Sequence, residues 1–215
     1  MPSIINASSS GSGGIVQTAD ASGVLQLQSN GTTALTVSGS AVTLAGATTL
    51  SNTLQVATTI GVGGATPSAS GAGITFPATQ SASSDANTLD DYEEGSFTPT
   101  LGGTSTYAQQ SGSYKKVGGL VYVSGILQVI TLGTGSTSQM SGFPFTCSVG
   151  PRNTLSIGYW SGTVGSLAYL AFYVSAGSAT TNTIATTAAA STVQDGYGVF
   201  QNGTYVIFSG CYHAS

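Results

Sequence analysis

No stretch of this chain repeats its apolar residues at the 3.6-residue interval of a helix; where a period exists, it is two. Between Gly23 and Thr59 the pieces VLQLQ, TALTV, AVTLA and TTLSNTLQV are separated by SNGT, SGS and AG. Apolar and polar residues alternate within them, at Leu25/Leu27, Leu35/Val37 and Val42/Leu44. Successive side chains of a strand point to opposite faces, so this alternation describes strands with one buried face. Each piece is too short, and too poor in large side chains, to bury a core inside one chain. Isolated strand pairs are marginal in water, and repeats of this kind need neighbours. The pieces are few for a solenoid, which favours the same segment from sister chains wound about a common axis, as in a three-sided shaft. An ordinary meander packed on the rest of the chain is the alternative.

Composition changes at Asp85–Leu101, DANTLDDYEEGSFTPTL, which carries five of the seven acidic residues: Asp85, Asp90, Asp91, Glu93 and Glu94. Before it Phe76 is the only aromatic residue; after it come Trp160 and every tyrosine besides Tyr92. A charge cluster at a change of composition marks a boundary. The expected organisation is therefore a low-complexity lead (1–22), a repetitive β shaft and connector (23–84), an acidic collar (85–101) and a globular head (102–215). The connector holds one short strand, Gly73 to Phe76. In the collar, Tyr92 and Phe97 are expected to be buried and the acids to face water.

From Ser96 onward the chain reads as all-β. Gly118-Gly119 joins strands at Gly112–Val117 and Leu120–Val129, and Asn202-Gly203 reads as a second hairpin turn between Gly196–Gln201 and Thr204–Tyr212. Further strands are expected at Thr154–Trp160, Ser166–Ser175 and Thr180–Thr186. Many short strands with turn signals at regular spacing describe an antiparallel β-sandwich or jelly roll.

Charged residues make up 5% of the chain, against roughly 25% in ordinary soluble domains. Only Lys115, Lys116 and Arg152 are basic, too few to neutralise the phosphates of a nucleic acid or to form a polybasic membrane patch. The densest apolar run, Leu167 to Val174, falls short of the ~20 residues of a membrane-spanning helix. The N-terminus shows neither the charged nor the apolar region of a secretory signal, so Cys147 and Cys211 are expected to be reduced and the chain to be made in the cytosol.

Some residues carry a likeness. Asn87–Leu101, NTLDDYEEGSFTPTL, resembles a module common in structural proteins of tailed bacteriophages. Tyr114-Lys-Lys-Val-Gly-Gly-Leu-Val121 is similar to the Tyr-x-Lys-Val/Ile-Gly-x-x-Val strand pair of that module, and Gly142-Phe-Pro-Phe145 to its Gly-Leu-Pro-Phe turn. The Gly-rich first half, with phrases such as Gly31-Thr-Thr-Ala-Leu35, looks like the proximal part of the same fibre chains. The resemblance implies a homotrimeric virion appendage. Its N-terminal segment would attach to other virion proteins, and its distal head would contact a glycan or protein of the host surface. At 215 residues the shaft is short for a tail fibre, which keeps a head fibre or capsid decoration protein open beside it. The alternative of another class is a carbohydrate-binding module or polysaccharide depolymerase.

Candidate sites follow from residue chemistry. Asp90, Asp91, Glu93 and Glu94, gathered from three chains, would offer oxygens to Ca²⁺, although their spacing matches no EF-hand loop and a solvated turn is the plainer reading. A glycosidase needs two carboxyls facing each other across a cleft, which neighbours on one turn do not present. Cys211 and His213 share a strand face as a thiol–imidazole couple, but no orienting or oxyanion-stabilising partner is evident and packing explains them as well. Trp160, Tyr159 and Tyr197 are the favoured receptor contacts, with Tyr107 and Tyr212 behind them, since aromatic side chains give rigid contact area at low entropic cost. No cofactor and no catalytic residue is assigned.

Overall fold

The computed structural model describes residues 24–38, 41–44, 47–49, 54–68, 70–79, 83–85, 87–187 and 192–215. The lead at 1–22 and the centre of TTLSNTLQV lie outside them. Among the described residues every regular element is a strand. The chain divides into two compact units, 1–55 and 56–215.

In the first unit β1 (Val24–Ser29), β2 (Thr32–Ser38) and β3 (Ala41–Leu44) form an antiparallel meander in that order. Asn30 and Gly31 turn the chain between β1 and β2 with φ of 50° and 74°. Positive φ at both central residues gives a two-residue turn whose twist matches that of the flanking strands. The register aligns Leu25, Val37 and Val42 in one cross-strand row and Leu27, Leu35 and Leu44 in the next. Residues directly opposite across strands share a face, so all six aliphatic side chains lie on one side of the meander.

The second unit begins with a short parallel pair, β4 (Thr59–Gly61) on β5 (Gly73–Thr75); β5 is the connector strand read from the sequence. Nine strands then build one sheet: β6 (Tyr92–Phe97), β7 (Thr106–Val117), β8 (Leu120–Thr131), β9 (Gln139–Met140), β10 (Asn153–Ser161), β11 (Leu167–Val174), β12 (Thr181–Thr187), β13 (Gln194–Asp195) and β14 (Tyr205–His213). Their order is β13-β12-β11-β10-β14-β8-β7-β6, all antiparallel, with β9 also on β12. Where two separate sheets of a sandwich were expected, β14 pairs with both β10 and β8 and makes the hydrogen bonding continuous.

The sheet curls until its edges meet. Thr100, just beyond β6, exchanges backbone hydrogen bonds of 2.9 and 2.8 Å with Ser141, which follows β9, and Met140 of β9 pairs with Thr181 of β12. Irregular registers in β7, β10 and β11 supply local bends, as bulges do in sheets that close on themselves. The concave face is apolar: Val121, Val123, Leu127, Leu155, Phe172, Val206, Phe208 and Tyr212 are buried there. Phe97, Phe143 and Phe208 pack mutually, with ring centroids 5.3 to 6.4 Å apart. Burying aromatic side chains is the largest apolar contribution available to a chain with so few charges.

Three expectations need correcting. Residues 196–201 form no strand although Val199 and Phe200 are buried. Both of their N–H groups instead donate to the single carbonyl of Thr137, at 2.8 and 2.9 Å, while Gly196 N–H donates to Thr183 and the Val199 carbonyl accepts from Val164 N–H, so the segment is held by scattered bonds to different partners rather than by a ladder. Asn202-Gly203 accordingly makes a turn, Thr204 N–H to Gln201 O at 3.2 Å, but joins no hairpin. In the collar, Phe97 is buried as expected, whereas Tyr92 is 42% exposed and Asp91 only 1%. The reason is alternation: Tyr92–Phe97 is the edge strand of the sheet, paired with β7 from Tyr92↔Val117 to Phe97↔Gly112. Odd residues from Asp91 onward therefore face the core and even ones face water.

Candidate functional site

The acidic stretch sorts its side chains by parity. On the core side Asp91 contacts the ammonium of Lys116, and both side chains are almost wholly buried. The Phe145 ring covers Lys116 Nζ at 5.2 Å from its centroid. Phe145 is fixed in turn by Tyr212, whose hydroxyl accepts from its N–H at 3.2 Å and donates to its carbonyl at 3.0 Å, and by edge-on contact with Tyr114. Burial pushes the Tyr212 phenol up to about 12.

On the outer side the Tyr92 hydroxyl donates to Glu94 Oε2 at 3.1 Å, and Lys115 Nζ lies 3.5 Å from the same oxygen. Glu94, Gly95, Ser113, Tyr114, Lys115 and Tyr122 line an open recess of about 400 Å³. An exposed tyrosine on either side of an ion pair offers stacking area beside hydrogen-bonding groups, the chemistry that sugars and polypeptides use. Next to this recess the register aligns Ser96, Ser113, Ser124, Ser209 and Ser156 across five neighbouring strands. The outer wall is thus hydroxyl-lined, with Ile126, Ile207 and Tyr159 in the following row.

The favoured aromatics do not come together. Tyr159 stands on the outer wall, edge-on to Tyr205 with centroids 5.3 Å apart. Trp160 pairs with Val206 and packs, half-buried, against the core, as does Tyr197. Alternation puts Tyr159 and Trp160 on opposite faces, and the register shift between Ile157 and Tyr159 reverses parity within β10, so that Tyr159 turns outward although Ile157, two residues before it, faces inward. Tyr107 is a structural anchor: its hydroxyl accepts from Leu101 N–H at 2.6 Å and bonds Thr100 Oγ1 at 3.0 Å. Tyr92, Tyr122 and Lys115 were missed as a group. Counting by twos back from Phe97 sets Gly95, Glu93 and Asp91 inward and leaves Tyr92 and Glu94 outward; the same alternation carried across the Gly118-Gly119 turn finds Lys115 and Tyr122.

Asp90, Asp91, Glu93 and Glu94 do not converge within one chain. Asp90 accepts from Ser83 N–H at 2.8 Å, Asp91 faces Lys116, and Glu94 faces outward to Lys115. Among the described residues no three His, Cys, Asp or Glu side chains are gathered as metal ligands. Cys211 and His213 are both exposed on the outer face, where they pair with Tyr122 and Leu120. Cys147 is buried and unbonded to Cys211. At the other edge of the sheet Arg152 Nη1 donates to Asp195 Oδ2 at 2.8 Å, and the guanidinium Cζ lies 4.3 Å from the centroid of the Tyr173 ring. The hydrogen bond from Arg152, then that from Tyr173, holds the Asp195 carboxyl below the ordinary carboxylate range. All three basic residues of the chain are therefore engaged by carboxylates. No family model matches this chain, and neither the curated proteins nor the solved structures contain a match to it.

Proposed function

We propose that the chain is a non-enzymatic structural component of a tailed-phage particle, a homotrimeric fibre with its N-terminal segment on the virion and its curled-sheet head outward. The observation that carries the assembly is the face of the meander. Leu25, Leu27, Val42 and Leu44 are 60, 53, 65 and 51% exposed, on a sheet of three short strands. Water opposes such a surface by roughly 25 cal/mol for each Å² of apolar area left uncovered. No charged residue occurs between Asp20 and Asp85, so nothing repels the same face of a second and third copy. Sister chains that each contribute this meander to a shared shaft cover all three faces at once.

The virion part of the reading rests on the likeness at Asn87–Leu101, Tyr114–Val121 and Gly142–Phe145. Its non-enzymatic character is supported by the separation of the outward carboxylates: Glu94 and Asp195 stand on the strands at opposite ends of the sheet order, each beside a cation. On the head, the recess lined by Glu94, Lys115 and Tyr122, with Tyr92 bonded to Glu94 at its side, is the better receptor contact than Trp160, because both tyrosines reach water. A capsid decoration protein shares the trimer and differs in lacking a receptor. Light scattering on the purified chain is expected to return the mass of three chains; a monomer overturns the trimer. Binding to host cells, lost in Tyr122→Ala, supports recognition, and its absence in the intact protein favours decoration of the shell.

A further inference from the structure

We propose that Lys116 and Asp91 become joined by an isopeptide bond between Lys116 Nζ and Asp91 Cγ, closed by the chain itself. This does not depend on the virion reading. Asp91 is 1% and Lys116 5% exposed, and their side chains touch across two strands, 25 residues apart in sequence. Phe145 closes the site from one side, itself held at both backbone groups by Tyr212. The backbone of Asp91 is fixed as well, since its carbonyl accepts from Gly118 N–H at 3.0 Å. Glu93, half-buried, lies directly opposite Lys116 in the register and on the same face of β6 as Asp91.

These groups meet the needs of a dehydration. The pair is enclosed away from water, and the reaction begins as a proton passes from the ammonium to the Asp91 carboxylate, leaving a neutral amine beside a neutral acid. The amine nitrogen then attacks Cγ of the acid and the N–C bond forms. Nζ passes a second proton to the Glu93 carboxylate, which returns it to the departing hydroxyl; the C–O bond breaks and water leaves. One amide and one water replace one amine and one acid, and no oxidant or activating reagent enters. Holding nucleophile and carbonyl in contact replaces an encounter in solution, an advantage that reaches effective molarities of about 10⁵–10⁸ M in well-oriented pairs. Glu93 is the proton carrier that such a step requires.

The bond lies where it matters mechanically. Among the described residues the β6 ladder pairs with β7 alone, and an edge strand can be peeled from its sheet one hydrogen bond at a time. A covalent link at its N-terminal end fastens the strand where the preceding chain enters the sheet.

Intact-mass measurement of the purified full-length protein tests the proposal. The expected mass is that of the sequence less one water, with peptide mapping showing a branched fragment that joins the segments around 91 and 116. Lys116→Arg and Asp91→Ala are each expected to restore the full mass. A full-mass wild type overturns the proposal whether or not the variants fold. A water loss mapped to Asp195-Gly196, where a cyclic imide would lose the same mass, overturns it too. Glu93→Gln is expected to leave an unlinked fraction, and conversion as complete as in the wild type overturns the role given to Glu93.

Discussion

Tyr212 shows how much one hydroxyl can hold. It is fully buried, and its oxygen serves both the N–H and the carbonyl of Phe145. Replacing it by Phe leaves two backbone groups without that partner, and each orphaned group costs about 1–3 kcal/mol. Denaturant unfolding at neutral pH is expected to show a loss of about 2–6 kcal/mol. The same residue sets an alkaline limit. In the unfolded chain the phenol ionises near its ordinary value of 10.0, whereas in the fold it keeps its proton to about 12. Its contribution is therefore complete below pH 10 and declines as pH rises through 10 towards 12, because only the unfolded state gives up the proton there. Tyr212→Phe is expected to flatten that part of the stability–pH curve, and an unchanged slope would exclude this origin. The sequence placed Tyr212 among the exposed aromatics. Alternation with Val206 and Phe208 puts Tyr212 on the buried face of β14, but nothing local names the partner of its hydroxyl, a backbone 67 positions away.

At the level of the strand, glycine decides where rings fit. Gly112 and Gly125 are register partners in β7 and β8. A Cβ on the first would meet the Phe97 ring at 2.3 Å and one on the second the Phe208 ring at 2.5 Å. The two aromatic rings occupy the space that side chains would fill, so the gap in the apolar alternation at Gly125 is a seat. Gly125→Ala is expected to lower stability by about 1–3 kcal/mol through overpacking, read as a lower denaturant midpoint. The periodicity of β8 was legible from Val121, Val123, Leu127 and Val129. That of β6 was legible too, but its acids suggested a solvated collar and hid the alternation. Charge is a sound signal for exposure until an opposite charge waits on the neighbouring strand, as Lys116 does for Asp91.

For the whole molecule, the first unit exposes what an ordinary domain would bury. Leu27→Ser combined with Leu35→Ser interrupts one cross-strand row of the meander. The pair is expected to shift the mass measured by light scattering from three chains towards one, while the circular-dichroism signature of the second unit persists. A double variant that keeps the mass of three chains would move the assembly surface elsewhere. That the chain is all-β, where most strands begin and end, and that its first third carries one apolar face can all be read along the chain, because these depend on a local period of two. That one curled sheet replaces two, that Trp160 turns inward while Tyr159 turns outward, and that Asp91 is enclosed with Lys116 emerge once the strands are paired. Each of those follows from which strands become neighbours and in what register, and register is a contact between residues far apart in the chain.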